Sequence, residues 1–253
     1  MVGIYFSGTG NTRYAVERFV SAVGGGECFS LEHSGVADEL AKHDTVVFGF
    51  PVYYSNLPKI AKAFIAENKN AFAGKKVFII ATKGLFNALG VGYAARLFKD
   101  CGAQLIGSMQ LIMPDNIRDL LIMEIIFTKN YRKVIAKAER KIAKSAEAFK
   151  SGKPLKSGLN PLNYLLGFFL RSLWFYPRTD EYITAPKIAR DKCNGCGKCT
   201  ELCPMRNITV ADGKAVSGGK CTACYRCFSH CPTKALTILG RRVYGQYVFD
   251  NTL

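Results

Sequence analysis

Histidine is scarce in this chain, and the shortage excludes much. Only His33, His43 and His230 are present, each isolated from the others. Neither a Ser–His–Asp triad nor a histidine-rich metal site is expected. Acidic residues are also few, 19 against 35 Lys and Arg, which leaves a formal charge of +16. No carboxylate pair of the general acid–base kind stands near a motif. Gly-x-Gly-x-x-Gly and Walker loops are absent, which excludes two common nucleotide cradles. The apolar stretch Leu162–Tyr176 is interrupted by Arg171 and stopped by Pro177, too short and too broken to span a bilayer. Met1 runs at once into apolar Val2–Phe6, with no basic segment and no small-residue cleavage site. The expected address is therefore the cytoplasm, where ten cysteines read as free thiols, catalytic cysteines or metal ligands, not as disulfides.

Helix and strand signals alternate through the first 150 or so residues. Strands are expected at Val2–Phe6, Glu27–Leu31, Thr45–Phe50, Lys76–Thr82 and Gln104–Ile112. Helices are expected at Asn11–Val23, Lys59–Asn70, near Leu89–Cys101 and from Lys129 to Lys150. This pattern predicts an α/β fold, a doubly wound five-stranded parallel sheet. The expected organisation is a large domain over 1–152, a connection over 153–184 and a small cysteine-rich domain over 185–253. Leu162, Leu165, Leu166, Phe169 and Leu173 share a helical face in the connection, read as a helix docked between the domains. The alternative is a membrane-surface or partner-docking helix, joined by Leu120–Phe127. The aromatic tail after Arg241 is expected to pack on the small domain.

Cys193-x-x-Cys196-x-x-Cys199-x-x-x-Cys203-Pro204 is repeated as Cys221-x-x-Cys224-x-x-Cys227-x-x-x-Cys231-Pro232. Two-residue gaps let successive thiolates converge on the corners of a cubane, and the fourth cysteine of each run serves the other cluster. One 4Fe–4S cluster is thus assigned Cys193, Cys196, Cys199 and Cys231, and the other Cys221, Cys224, Cys227 and Cys203. Tetrahedral zinc needs no third and fourth cysteine at these offsets, twice over. The run resembles the bacterial two-cluster ferredoxins, including both Cys-Pro pairs and the Asp212-Gly213 turn between them. That resemblance implies a small α+β, ferredoxin-like second domain.

Strand one leads directly into Ser7-Gly8-Thr9-Gly10-Asn11-Thr12-Arg13, which opens the first helix. Glycines allow close backbone approach, hydroxyls supply hydrogen bonds, and a helix N-terminus offers free N–H groups, which together suit an anion. The loop resembles the phosphate loop of flavodoxins. The resemblance implies flavodoxin strand order and FMN at the switch point, with Ser7, Gly8, Thr9, Gly10, Asn11 and Thr12 at the phosphate. It also places two further loops at the isoalloxazine: Pro51, Val52, Tyr53 and Tyr54 after strand three, and Thr82, Lys83, Gly84, Phe86 and Asn87 after strand four. Tyr53 and Tyr54 are read either as stacking partners of the ring or as loop anchors. Met113–Asn116 lies at the same rim.

Taken whole, the chain resembles single-chain flavodoxin–ferredoxin fusions. That implies FMN and two 4Fe–4S clusters, and joining such centres suggests an electron-transfer protein that relays electrons to a redox partner protein. The basic charge points to an acidic ferredoxin, a flavodoxin or an oxidoreductase as that partner. The alternative is a flavin-dependent reductase of a small molecule, fed by the clusters. Bound cofactors would remove about six positive charges and still leave a basic protein. No nucleic-acid role is expected, because basic residues on a helix such as Lys129–Lys156 are ordinarily a solvated face. Cys28 and Cys101 stand outside both runs and are expected as structural thiols.

Overall fold

The computed structural model describes residues 1–53, 56–84, 90–127, 131–159 and 186–249. Leu162–Tyr176, Tyr54, Phe86 and Asn87 lie outside them.

Five parallel strands, β1 (Val2–Tyr5), β2 (Glu27–Ser30), β3 (Thr45–Pro51), β4 (Lys76–Lys83) and β5 (Gln104–Ile112), form one sheet in the order β2-β1-β3-β4-β5. The central strands read as continuous apolar runs because both faces are covered. Phe48 packs on one side with Phe64, Phe72 and Phe98, and Phe78 on the other with Phe19 and Phe149. Full burial of such a side chain contributes about 1.5–3 kcal/mol. Helix α1 (Asn11–Ala22) comes so near β3 that a Cβ on Gly49 would collide with Val16. Close packing there fixes the start of α1 over the carboxyl ends of β1 and β3, where the strand order reverses and ligands settle in such sheets.

Differences from the expected elements are local. A short helix, α2 (Val36–Ala41), follows β2. The helix expected over Lys59–Asn70 is two, α3 (Lys59–Glu67) and α4 (Lys69–Phe72). Asn68 separates them, its amide donating to the carbonyl of Phe64 at 2.9 Å, the local competition by which Asn interrupts helices. Helices α5 (Gly90–Asp100), α6 (Leu121–Phe127) and α7 (Tyr131–Lys150) complete the large layer. The chain continues along the sheet beyond residue 152. Ser108 N–H donates to Leu155 O and Ser157 N–H to Ser108 O, which lays this segment beside β5.

The C-terminal part pairs β6 (Lys187–Ile188) with β9 (Leu236–Thr237), both antiparallel to each other. A hairpin of β7 (Ile208–Ala211) and β8 (Lys214–Ser217) turns through Asp212 and Gly213, with φ of 50° and 67°, as a type I′ turn requires. Two single-turn helices, α8 (Lys198–Glu201) and α9 (Arg226–Ser229), occupy equivalent places in the two cysteine runs.

A buried polar joint ties the two parts together. Asp119, after β5, accepts N–H bonds from Ile238, Leu239 and Gly240 at 2.7–3.0 Å and the Tyr225 hydroxyl at 2.9 Å. Four donors satisfy one buried carboxylate, the condition under which such burial is tolerated. The tail serves both parts. Gln246 donates to Phe228 O and Cys231 O, whereas Tyr247 and Phe249 bury their rings in the core beneath α1 and α7. The expected docking on the small domain thus describes only its beginning.

Candidate functional site

Three cavities are lined by the loops and cysteine runs singled out above. The first is bounded by Ser7, Gly8, Thr9, Asn11 and Thr12 from the loop after β1, Pro51, Val52 and Tyr53 after β3, and Thr82, Lys83 and Gly84 at the end of β4. Met113–Ile117 forms another wall of this open cavity. Helix α1 begins here with no side-chain cap and no acidic residue in its first turn, so its first N–H groups remain available to an anion. The Ser7 hydroxyl accepts the Gly10 N–H at 3.1 Å, and Thr12 Oγ1 lies 2.7 Å from Thr82 Oγ1. Asn11 is otherwise engaged: its amide donates to Pro114 O and its oxygen accepts the Tyr247 hydroxyl, both at 2.8 Å. It ties loops together where the sequence suggested a ligand contact.

Two charged side chains at this cavity have displaced titrations. Burial raises the Asp115 carboxyl, while the N–H groups of Ile117 and Asn116 and the charge of Arg118 oppose the rise. Burial and the neighbouring Lys141 lower the Lys83 amine. Asp115 comes from the β5 loop and stands against Gly84, so the rim around Lys83 is not free of acid. The buried Tyr53 hydroxyl has no hydrogen-bond partner among the described residues.

The second cavity is lined by Cys203, Cys221, Cys224 and Cys227, and the third by Cys193, Cys196, Cys199 and Cys231. Each therefore collects three cysteines of one run and the fourth of the other. Backbone N–H groups of Asn207, Ala223, Ala215 and Ala235 donate to the sulfurs of Cys203, Cys221, Cys193 and Cys231 at 3.2–3.4 Å, contacts that stabilise thiolate charge. The surroundings differ. Burial raises the thiols of Cys221, Cys224 and Cys227, Cys224 to about 12. In the third cavity burial also raises the Cys199 thiol, whereas the Cys193 thiol is lowered by N–H groups of Ala215 and Gly195 and by Lys214 and Arg190.

Two family models match the chain. One, described as a flavodoxin domain, covers residues 3–88, and the other, a 4Fe-4S dicluster domain, covers residues 185–232. The chain joins a flavodoxin domain to a 4Fe–4S dicluster domain. Its redox role is electron transfer, and FMN and 4Fe–4S clusters are the cofactors that the two domains imply. Among solved structures, it is similar to two-electron reduced Megasphaera elsdenii flavodoxin, with 25% identity over 56% of this chain and 99% of that one and a TM-score of 0.41. It is also similar to oxidised Flavodoxin 2 from Bacillus cereus, with 18% identity over 59% and 97% and a TM-score of 0.44. No curated protein matches.

The residues present suit these groups. In the flavodoxin domain an uncapped helix start, the Ser7 hydroxyl and the unpaired Tyr53 hydroxyl converge on one cavity. In the dicluster domain, each of two cavities is lined by four cysteines, three from one run and the fourth from the other, the donor set of a 4Fe–4S cluster.

The two domains meet through residues that the sequence reading passed over. Ala223 and Tyr225 of the dicluster domain line the flavodoxin cavity, and Tyr225 also lines the second cavity. Arg226 donates to Ser7 O at 2.7 Å, Gly8 O at 3.3 Å and Leu202 O at 3.2 Å, and pairs with both oxygens of Glu32 at 2.6 and 2.7 Å. Asn116 bridges Thr9 Oγ1 and Cys224 O. A signal for Tyr225 and Arg226 did exist. They stand where the first run has Gly197 and Lys198, and Tyr225 adopts the same left-handed backbone as that glycine, φ 60° against 76°. A bulky residue in a conformation costing about 1–2 kcal/mol marks a position held by outside contacts, here Asp119. Nothing in the sequence pointed to Glu32.

Proposed function

We propose that the chain is a three-centre relay in which electrons pass between an outer cluster, an inner cluster and the flavin. One observation carries this reading: Tyr225, 2% exposed, walls both the second cavity and the flavodoxin cavity. Cys203, Cys221, Cys224 and Cys227 would hold the inner cluster, and Cys193, Cys196, Cys199 and Cys231 the outer one, since Cys196 is exposed and Cys221, Cys224 and Cys227 are buried. Ser7, Gly8, Thr9, Gly10 and Thr12 would hold the FMN phosphate. Pro51, Val52, Tyr53, Tyr54, Thr82, Lys83, Gly84, Phe86, Asn87 and the Met113–Asn116 wall would surround the ring. When bound, FMN exchanges one or two electrons, whereas each cluster passes one at a time.

The protein side of this mechanism is rigidity and exclusion of water. Arg226 clamps the carbonyl side of the phosphate loop to α9, and Asn116 joins that loop to Cys224. Asp119 fixes the Tyr225 hydroxyl, so the wall between the two cavities cannot swing open without orphaning a buried carboxylate. No helix among the described residues is long and apolar enough to cross a membrane; a reducing compartment such as the cytoplasm suits eight cluster cysteines together with the thiols of Cys28 and Cys101.

Anaerobically purified protein is expected to contain one FMN and about eight irons per chain. Stoichiometric zinc with little iron would defeat the reading. Within the flavin site, Asp115→Asn is expected to raise the flavin potential, because a buried carboxylate opposes added electrons. A shift of about 30 mV in the two-electron couple corresponds to about 1.4 kcal/mol. Lys83→Ala should move it the other way. Redox titration of the three proteins, with the clusters followed separately, checks both signs.

A further inference from the structure

We propose that the face around Cys196, Val210 and Pro232 is the docking surface for an acidic, one-electron iron–sulfur carrier protein. The inference rests on the relay reading and gives its outer end a partner. Three features coincide there. Cys196 is exposed, whereas three of the four cysteines of the second cavity are buried. Val210, 42% exposed, and exposed Pro232 line the same cavity as Cys196 and supply a small apolar centre. Around it stands a rim of net positive charge: exposed Arg190 and Lys192, with Asp191 between them, on the turn before Cys193, exposed Lys198 on the cavity wall, and Lys214, whose ammonium donates to the Cys193 carbonyl at 2.5 Å.

Charge complementarity identifies the partner. Residues 186–249 carry eleven Lys and Arg against three Asp and Glu. Thiolate-bound clusters offset only about four of those charges. A basic rim around an apolar, redox-active centre steers an acidic molecule into register, and it does so chiefly through the association rate. In each encounter one electron crosses the face, one protein being oxidised as the other is reduced. The flavin is not the port for such a carrier from this side, because Ala223 and Tyr225 close its cavity against the dicluster domain.

The test uses holoprotein and an acidic two-cluster ferredoxin as probe, with second-order electron exchange measured by anaerobic stopped flow. Exchange is expected to slow about tenfold or more between low and high salt. At low salt the double variant Arg190→Glu/Lys192→Glu should slow exchange about tenfold and flatten the salt dependence. Lys133→Glu/Lys137→Glu makes the same charge change on exposed positions of α7, which packs against β5 and α1, and should stay within about twofold of the wild type. Equal slowing by both variants would reduce the effect to net charge and overturn the proposal, as would no slowing by either. Binding of anionic phosphatidylserine vesicles lost in the first variant, with ferredoxin exchange unaffected, would overturn it in favour of a membrane surface. Iron and FMN content and reduction by dithionite are read on every sample. A wild-type protein lacking clusters or flavin would defeat the relay itself, whereas fully loaded variants with unchanged exchange defeat only this docking surface.

Discussion

Cys224→Ser is expected to purify with about four irons instead of eight and to reduce its flavin at least about 100-fold more slowly when electrons come from a protein donor. A factor of 100 in rate corresponds to about 2.7 kcal/mol of barrier. Serine replaces the thiolate that iron requires with a hard, poorly ionised oxygen. Cys224 lies between Tyr53, Asn116 and Gly8, so its loss removes the centre nearest the flavin and leaves Cys193, Cys196 and Cys199 intact on the outside. Cys196→Ser should also lose four irons, yet its flavin should still equilibrate with the remaining cluster during an electrochemical titration. That difference separates the order of the centres from a mere need for all of them. Cys28→Ser and Cys101→Ser serve as controls, since burial, helped by the charges of Glu17 and Asp100 respectively, raises their thiols and neither lies in a cysteine run. Iron counts and thermal melts on all four variants distinguish a missing cluster from a misfolded chain.

The contrast between what could and could not be read beforehand follows the range of the interactions. Strand positions were legible because a parallel sheet buried on both faces leaves unbroken apolar runs such as Thr45–Phe50. The cysteine grouping was legible because cubane geometry dictates short, fixed spacings, and the two cavities divide the eight cysteines in that way. The phosphate loop was legible as a local strand-to-helix transition. The joint was not. Asp119, Arg226 and Glu32 act across separations of about one hundred residues or more, and no local pattern encodes a bond between distant side chains. Asn11 illustrates the converse: its place in the loop is the expected one, while its amide and carbonyl are taken by Pro114 and Tyr247. Asp115 was visible in the sequence, but its approach to Gly84 depends on how the β4 and β5 loops meet.

Gly8→Ala is expected to damage both halves of the relay at once. The Gly8 backbone lies so close to the dicluster domain that an added Cβ would collide with the Cys224 carbonyl oxygen and sit 2.6 Å from Tyr53 Oη. Neither obstacle yields cheaply. The Cys224 carbonyl belongs to the loop that presents Cys221 and Cys224, and it accepts a hydrogen bond from Asn116. Tyr53 is partly buried in the flavin cavity wall, with its hydroxyl out of solvent. Relief requires the phosphate loop to retreat, the second-cluster loop to move outward, or Tyr53 to turn into the cavity. Overpacking of this kind typically costs about 1–3 kcal/mol, so FMN affinity should fall about five- to 150-fold, and internal electron transfer should slow because the two loops separate. Gly35→Ala makes the same chemical change where the nearest atom is His33 Cε1 at 3.4 Å, and it should leave both quantities near the wild-type values. Fluorescence titration of apoprotein with FMN gives the affinity, and flash reduction of the clusters followed at flavin wavelengths gives the transfer rate. Wild-type values for both in Gly8→Ala would mean that the phosphate loop and the Cys224 loop do not meet in solution.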